Sequence, residues 1–160
     1  MECVESVVIP ISISIDFYTE APIQRVFEVL ADVPRSVGHF PNVQRLVDLG
    51  ANTYRWEMEK MGTQRYHFQV QYAAQYKANE AEKCVRWSPV SEGNGTFSGC
   101  WELRREGERT HVHFSNEGQL ELPLPRLTKK IVQPFVRNKF DELFGVYIEN
   151  LQRTFTELSR

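Results

Sequence analysis

Histidines are the residues of this sequence best suited to metal binding. His111 and His113 lie two residues apart, so on a strand they share one face, and a pair of imidazoles can bind a metal. No third ligand stands near them in the sequence, and they occupy the polar phase of their predicted strand. We therefore expect a solvated surface at His111 and His113, and no metal site.

Nucleophilic and phosphate-binding motifs are also missing from the sequence. Cys3, Cys84 and Cys100 form no C-x-x-C pair, and no Gly-x-Ser-x-Gly is present. Cys84 and Cys100 share the outward phase of consecutive predicted strands, so the hairpin register decides whether they are neighbours. The Glu92–Gly95 turn precedes a strand and lacks the lysine of a phosphate loop. The motifs therefore predict no catalytic residue and no cofactor.

Composition indicates one ordinary globular domain over residues 1–160. Hydrophobic residues make up 41% of the chain and aromatic residues 12%, which excludes disorder. The net charge of −2 gives no overall attraction to nucleic acid, so we expect no nucleic-acid partner. No apolar run is long enough for a membrane span, the first residues do not resemble a signal peptide, and cysteines are sparse. These features predict a cytoplasmic protein.

The hydrophobic pattern predicts seven strands and three helices. Residues 7–17 alternate with period two, and Pro10 places that strand near an edge. A short helix follows Ala21-Pro22, and Asp32 caps a second one that stops near Gly38. Short turns, including Met61-Gly62-Thr63, then separate six predicted antiparallel strands, which span residues 43–49, 53–59, 65–76, 83–89, 96–105 and 109–122.

A long terminal helix follows Pro123-Leu124-Pro125. Apolar residues from Val136 onward recur at helical spacing on one arc, whereas Leu127, Ile131 and Phe135 fall on another. The phase changes at Pro134, which predicts a kink or break there and two parts that bury different faces.

The strand phases predict an inward sheet face that is aromatic and almost free of charge. All three tryptophans and several tyrosines fall on it, whereas the opposite phase is polar. Asn116 is the one clearly polar residue of the inward phase. It either contacts a ligand or is turned aside by a bulge near Glu117-Gly118, and we favour the bulge. Arg45, on the phase of Val43, is interpreted as an exposed edge arginine.

At this point the sequence resembles the START-like superfamily, also called SRPBCC or helix-grip proteins, nearest its polyketide cyclase/dehydrase and coenzyme-Q-binding branches. The resemblance covers roughly residues 6–158. It rests on the element order and on loose local patterns, which are Ala21-Pro22 opening a helix, Phe40-Pro41-Asn42-Val43, residues 107–112 and Pro123-Leu124-Pro125. It implies an α+β fold, a curved seven-stranded antiparallel sheet gripping a long C-terminal helix with two short helices between strands 1 and 2. It also implies a ligand cavity between sheet and helix. His39, just before Phe40-Pro41, is either at the mouth of that cavity or an ordinary polar loop residue, and we favour the loop residue.

Three functions fit these observations. The first is non-catalytic binding or transport of a small hydrophobic molecule, a lipid, an isoprenoid or quinone, or an aromatic polyketide. The second is a cyclase- or dehydratase-type enzyme in which Tyr54, Tyr66 or Tyr72 acts as an acid. The third is a protein-interaction module with a solid core, in which the tryptophan rings pack on one another. We predict the first, with ligand contacts from Tyr54, Trp56, Tyr66, Phe68, Tyr72, Trp87, Phe97, Trp101, Phe114, Asn116, Phe140 and Phe144.

A basic segment begins the terminal helix. Arg126, Lys129 and Lys130 lie beside Leu124 and Leu127, and no acidic residue occurs between Leu122 and Phe140. Such a segment is either a solvated helix start, which we favour, or a peripheral contact with anionic lipid. The sequence makes no prediction of oligomeric state.

Overall fold

A computed structural model describes residues 5–65 and 67–160 of the chain. Its elements follow the predicted order, with nine strands, three α-helices and one 3-10 helix (Arg126–Thr128) in the described residues. The strands and α-helices are β1 (Val7–Thr19), α1 (Ile23–Ala31), α2 (Val33–Val37), β2 (Val43–Gly50), β3 (Thr53–Met58), β4 (Met61–Gly62), β5 (His67–Phe68), β6 (Gln71–Asn79), β7 (Cys84–Gly93), β8 (Gly95–Glu106), β9 (Arg109–Leu122) and α3 (Lys129–Leu158).

Seven of these strands form one antiparallel sheet in the order β1-β9-β8-β7-β6-β3-β2. Alternation drives this arrangement, because Ile9 and Ile11 of β1 are buried whereas Pro10 between them is exposed. β1 is an edge strand, where the missing N–H of Pro10 costs no ladder hydrogen bond. The predicted seven-stranded antiparallel sheet is confirmed.

The predicted strand over residues 65–76 is wrong in its first half. His67–Phe68 pairs with Met61–Gly62 in a separate two-stranded sheet, and the long strand starts only at Gln71. The prediction of a simple turn at Met61-Gly62-Thr63 is wrong for the same reason. Period two is common to both arrangements, so the alternation of residues 65–76 did not distinguish one strand from two.

The two short helices start and stop where expected. The Asp32 side chain accepts a hydrogen bond from the backbone N–H of Arg35 at 3.3 Å, which caps α2. Pro34 sits in the first turn of α2, and Gly38 follows its last residue.

Helix α3 packs against the sheet and runs without a break through Pro134. The predicted break is therefore wrong. Its buried residues, Val132 among them, continue the arc that begins at Val136. The expectation that Leu127 and Ile131 are buried on a second face is also wrong, because their exposed fractions are 95% and 60%. No element among the described residues covers that side of the helix start.

Candidate functional site

A small, partly open void lies between the sheet, α1, α2 and α3. Its volume is about 30 Å³, and a single buried water needs roughly 10–15 Å³. Pockets that hold a drug-sized ligand measure roughly 300–1,000 Å³, so aromatic rings occupy most of the space that such a ligand would need. The walls contain no charged side chain. They are formed by Leu30, Val33, Ser36, Val37, Trp56, Tyr72, Tyr76, Val85, Trp87, Trp101, Phe114, Asn116, Phe144 and Tyr147.

One row of the sheet forms the polar part of this wall. Trp87 of β7 pairs with Gly99 of β8, and Gly99 pairs in turn with Asn116 of β9. The Trp87 indole N–H donates to the Asn116 side-chain oxygen at 3.0 Å. Gly99 permits this, because a Cβ there would lie 2.6 Å from the Trp87 ring. The register of β9 against both neighbours is unbroken at Asn116, so the favoured bulge is wrong, and the amide faces inward with 5% exposure.

A second polar group in the wall is built from Trp56, Tyr76 and Tyr72. The Trp56 indole N–H donates to the Tyr76 hydroxyl at 2.9 Å. The Trp56 ring stacks on Tyr72, with centroids 5.5 Å apart. These bonds satisfy the indole N–H groups that burial would otherwise penalise.

The helical side of the void adds a third polar pair. The hydroxyls of Ser36 in α2 and Tyr147 in α3 lie 2.5 Å apart. They join two elements that are 111 residues apart in the chain. This bond ties α2 down over the void.

Two polar atoms in the wall retain unused hydrogen-bonding capacity. Every fully enclosed side-chain nitrogen or oxygen of the described residues has a partner. The Tyr72 hydroxyl and the Asn116 amide nitrogen make no hydrogen bond to another described residue, and both residues line the void. The Asn116 amide orientation follows from the Trp87 donor, which requires the oxygen on that side. Both free groups can therefore donate into the void.

Burial sets the protonation state of the tyrosines in this wall. It raises the pKa of Tyr72 well above the ordinary value of 10.0, and the neighbouring Tyr76 and Tyr147 phenols add to the effect. Burial likewise raises the pKa values of Tyr76 and Tyr147. These phenols are therefore neutral hydrogen-bond donors at physiological pH. A proton donor works best with a pKa near the working pH, so the geometry disfavours tyrosine acid catalysis in this closed arrangement.

The predicted contact residues divide into three groups. Those that line the void are Trp56, Tyr72, Trp87, Trp101, Phe114, Asn116 and Phe144. Those that are placed elsewhere are Phe68, Phe97 and Phe140, which pack in a neighbouring aromatic cluster, and Tyr54, which lies at an outer groove between α2 and β2. Tyr66 falls outside the described residues.

Sequence reasoning missed several residues of the wall. Tyr76 lies on the inward phase of β6, and Tyr147 lies on the apolar arc of α3, so the periodicity of the sequence indicated that both face inward. Nothing in the sequence indicated that Ser36 faces inward, because a serine in a short helix is usually exposed. No two tryptophan rings among the described residues pack on each other. Trp56 contacts Phe40 and Tyr72, Trp87 contacts Tyr76 and Phe114, and Trp101 contacts Phe114 and Tyr147.

The outer face of the sheet holds the histidine pair. Nε2 of His111 and Nδ1 of His113 lie 3.0 and 2.9 Å from the same oxygen of Asp16. The hydrogen bond from His113 is the main reason that the pKa of Asp16 is lowered. The pair is therefore half-buried and bonded to a carboxylate rather than simply solvated. No group of three or more ligating residues in the described ranges is arranged to hold a metal ion.

Other sequence predictions concern residues outside the void. Cys84 pairs with Glu102 and Cys100 with Arg86, so the two free cysteines are offset by two positions. Arg45 is an exposed edge arginine, as predicted, and its guanidinium lies 3.0 Å from Glu57. His39 follows α2 by two residues, and its Nε2 lies 2.7 Å from the Thr154 hydroxyl. Among the described residues, the helices lack a stretch of sufficient length and hydropathy to span a bilayer.

Solved structures share this architecture. A protein from Thermus thermophilus superposes with a TM-score of 0.73 and 20% identity, over 93% of this chain and 99% of that chain. A START superfamily protein from Mycobacterium smegmatis gives a TM-score of 0.67 and 13% identity, over 92% and 98%. The Zhui aromatase/cyclase from Streptomyces sp. R1128 superposes with a TM-score of 0.64 and 15% identity, over 94% of this chain and 93% of that chain. At these identities the likeness establishes the fold. No protein-family model and no curated protein sequence matches the chain.

Proposed function

Because this chain has the START-like helix-grip fold, we propose that it binds a small, neutral, apolar or planar molecule in the space between the sheet and α3. One observation carries the proposal. The Tyr72 hydroxyl and the Asn116 amide nitrogen face an uncharged interior void with hydrogen-bonding capacity to spare. Neither atom is fully enclosed, so each must be satisfied by whatever molecule occupies the void, because an unpaired donor costs about 1–3 kcal/mol. A ligand oxygen accepting from these donors would satisfy them.

The void must expand for such a ligand to bind. Its present volume of about 30 Å³ accommodates water rather than an organic molecule. Tyr72 and Trp87 are only partly buried, and both line the void. Movement of the Tyr72 ring is the least costly way to make room, because rotation of Trp87 would break its hydrogen bond to Asn116.

Fluorescence titration tests the proposal, since all three tryptophans line the void. The neutral naphthalene ketone prodan offers a planar apolar body and one carbonyl acceptor. We expect saturable binding by the wild type and a loss of about tenfold in affinity in Tyr72→Phe, which removes one donor. Asn116→Leu removes the other donor together with the acceptor of the Trp87 N–H, so its loss should be at least as large. Tyr18→Phe is the matched control, because Tyr18 is exposed and bonds Glu106 far from the void.

The alternatives predict different outcomes. A cyclase- or dehydratase-type enzyme would turn over a polyketide-like substrate, with Tyr72→Phe abolishing activity. A ligand-free interaction module would bind no probe and would lose only stability in these variants. Saturable probe binding that Tyr72→Phe and Asn116→Leu leave intact would contradict the assigned site.

A second proposed contact, with an anionic membrane surface, rests on the exposed start of α3. Leu127 and Ile131 expose 95% and 60% of their surface beside Arg126, Lys129 and Lys130. Exposed apolar side chains among basic residues are typical of peripheral membrane contacts, to which each basic residue adds about 1 kcal/mol. We expect binding to phosphatidylserine vesicles that added salt weakens and that Leu127→Glu abolishes. Leu49→Glu, at an exposed apolar position on β2, is the control. Binding to phosphatidylcholine vesicles as strong as that to phosphatidylserine vesicles would contradict the proposed attraction between the basic residues and anionic lipid.

A further inference from the structure

A groove on the outer surface lies directly beside the interior void. It has a volume of about 340 Å³ and runs between α2 and β2. Its apolar lining includes Pro34, Val37, Phe40, Val43, Leu46 and Tyr54. Val37 lines both the groove and the void, so only a thin wall separates the two spaces.

The ring of Phe40 lies between the groove and the side chains that line the void. It lies edge-on to Trp56 at 5.3 Å and to Phe144 at 5.1 Å, and both partners line the void. It also contacts Tyr147 at 5.0 Å. Phe40 itself is 8% exposed and lines the groove on its other side. Displacing Phe40 together with Val37, which borders both spaces, would join the groove to the void.

Phe40 is carried by a short segment, residues 33–42, that side-chain hydrogen bonds fasten to α3. Besides the Ser36–Tyr147 bond, the Asn150 side-chain nitrogen donates to the His39 carbonyl at 2.9 Å. The Thr154 hydroxyl lies 2.7 Å from Nε2 of His39. Nδ1 of His39 lies 2.9 Å from the Arg35 carbonyl, so it carries the proton and Nε2 accepts from Thr154. The three bonds to α3, namely Ser36–Tyr147, His39–Asn150 and His39–Thr154, are called the latch below.

Apart from the latch, the segment is held by its buried side chains Val33, Val37 and Phe40. One backbone hydrogen bond, from the Glu59 N–H to the Asn42 carbonyl at 2.8 Å, fixes its far end. Its regular structure is the single five-residue helix α2, and Asn42 at its far end has a φ of 62°. A non-glycine residue in the left-handed region marks a sharp change of chain direction between the segment and β2. Residues 33–41 lie outside the sheet ladder, so they can move without breaking strand pairing, whereas Asn42 stays bonded to Glu59.

We propose that residues 33–41 form a gate, that Phe40 is the residue that controls access, and that a ligand enters the void from the α2–β2 groove when the latch opens. This inference rests on the proposed ligand binding. Opening of the gate can be tested separately from ligand contacts, because only the Ser36–Tyr147 bond of the latch lies in the wall of the void. Weakening the outer part of the latch should therefore change the rates of binding more than the affinity.

Stopped-flow fluorescence with prodan tests the gate. Thr154→Val and Asn150→Leu each remove one outer latch bond without touching the wall of the void. Because the latch holds the gate closed in the free and the bound protein alike, its loss should raise the association and dissociation rates together. We expect about fivefold for each rate, the equivalent of one hydrogen bond, with an unchanged dissociation constant.

Thr156→Val is the matched control, since Thr156 lies on the same helix and bonds only the Gln152 carbonyl within it. A second readout is backbone hydrogen exchange at Phe40, whose N–H bonds the Val37 carbonyl. It should accelerate in Thr154→Val and not in Thr156→Val. Retained prodan binding with unchanged rates and unchanged exchange would overturn the gate alone. Absence of prodan binding by the wild-type protein would overturn ligand binding and the gate together.

Discussion

The indole N–H of Trp87 donates to the side-chain oxygen of Asn116 at 3.0 Å, and this bond passes over the backbone of Gly99. Three adjacent strands thus contribute one residue each to a single row. The central residue has no side chain, which lets the outer two meet. The bond holds the Asn116 amide so that its nitrogen faces the void, and the proposed ligand contact depends on that orientation.

This row makes Gly99 intolerant of a side chain. A Cβ there would lie 2.6 Å from the Trp87 ring and 2.1 Å from the Ser115 backbone oxygen, and the backbone atom cannot move aside cheaply. We expect Gly99→Ala to destabilise the protein by about 1–3 kcal/mol in chemical denaturation. The near-ultraviolet circular dichroism of tryptophan should weaken as well.

Gly145→Ala is the control for that prediction. A Cβ at Gly145, within α3, meets nothing within 4 Å. Alanine there should leave stability unchanged or raise it by up to about 1 kcal/mol. Equal stability of Gly99→Ala and the wild type would contradict the packing of Trp87 over Gly99.

The Ser36–Tyr147 hydroxyl pair should couple energetically. A double-mutant cycle with Ser36→Ala and Tyr147→Phe isolates their bond, and we expect a coupling of about 0.5–1.5 kcal/mol. The comparison pair is Tyr18→Phe with Glu106→Gln, an exposed bond at which we expect coupling near zero. Equal coupling in the two cycles would show that α2 is not tied down by its buried hydroxyl.

Alkaline pH should destabilise the fold through its buried tyrosines. Burial raises the pKa values of Tyr72, Tyr76 and Tyr147 in the folded protein, whereas unfolded tyrosines ionise near 10.0. Their contribution to stability is therefore complete below pH 10.0 and is lost as the pH rises above it. In a titration followed by phenolate absorbance, the buried Tyr147 should ionise only together with unfolding, and the partly buried Tyr72 and Tyr76 should ionise above pH 10.0. Reversible ionisation of all six tyrosines near pH 10 in folded protein would contradict their burial.

Acidic pH should remove the contribution of the Asp16 carboxylate. The hydrogen bond from His113, followed by smaller effects of His111, lowers the pKa of Asp16 below its ordinary 3.8. Its stabilisation is present above that value and is lost as the pH falls through the lowered one. Asp16→Asn should therefore be less stable than the wild type near neutral pH, and the difference should shrink in strong acid. A difference that does not vary with pH would contradict the charged contact.

Much of the fold and part of the site could be predicted from local pattern. Alternation assigned Trp56, Trp101 and Phe114 to the inner face, because a one-residue slip would have exposed them all. Pro10 marked the edge strand through its missing N–H. The exposure of Leu127 could not be predicted, since helical spacing identifies an apolar arc but not whether another element covers it.

Contacts between distant parts of the chain were beyond sequence reasoning. Asp16 meets His113 only because β1 and β9 pair in one particular register, with these two residues opposite each other. Ser36 meets Tyr147 only through the docking of α2 on α3. The size of the void depends on how closely many aromatic rings pack, and hydrophobic periodicity does not predict packing density.

Native mass spectrometry of gently purified protein tests the central claim most directly. Ligand binding predicts that the 18.7 kDa chain carries a neutral organic adduct on the order of a few hundred daltons, the size of typical pocket ligands. The adduct should be lost on denaturation and absent from the Tyr72→Phe/Asn116→Leu double variant. The bare chain mass from the wild type, both as purified and after incubation with prodan, would contradict the claim and favour a closed core that serves only packing.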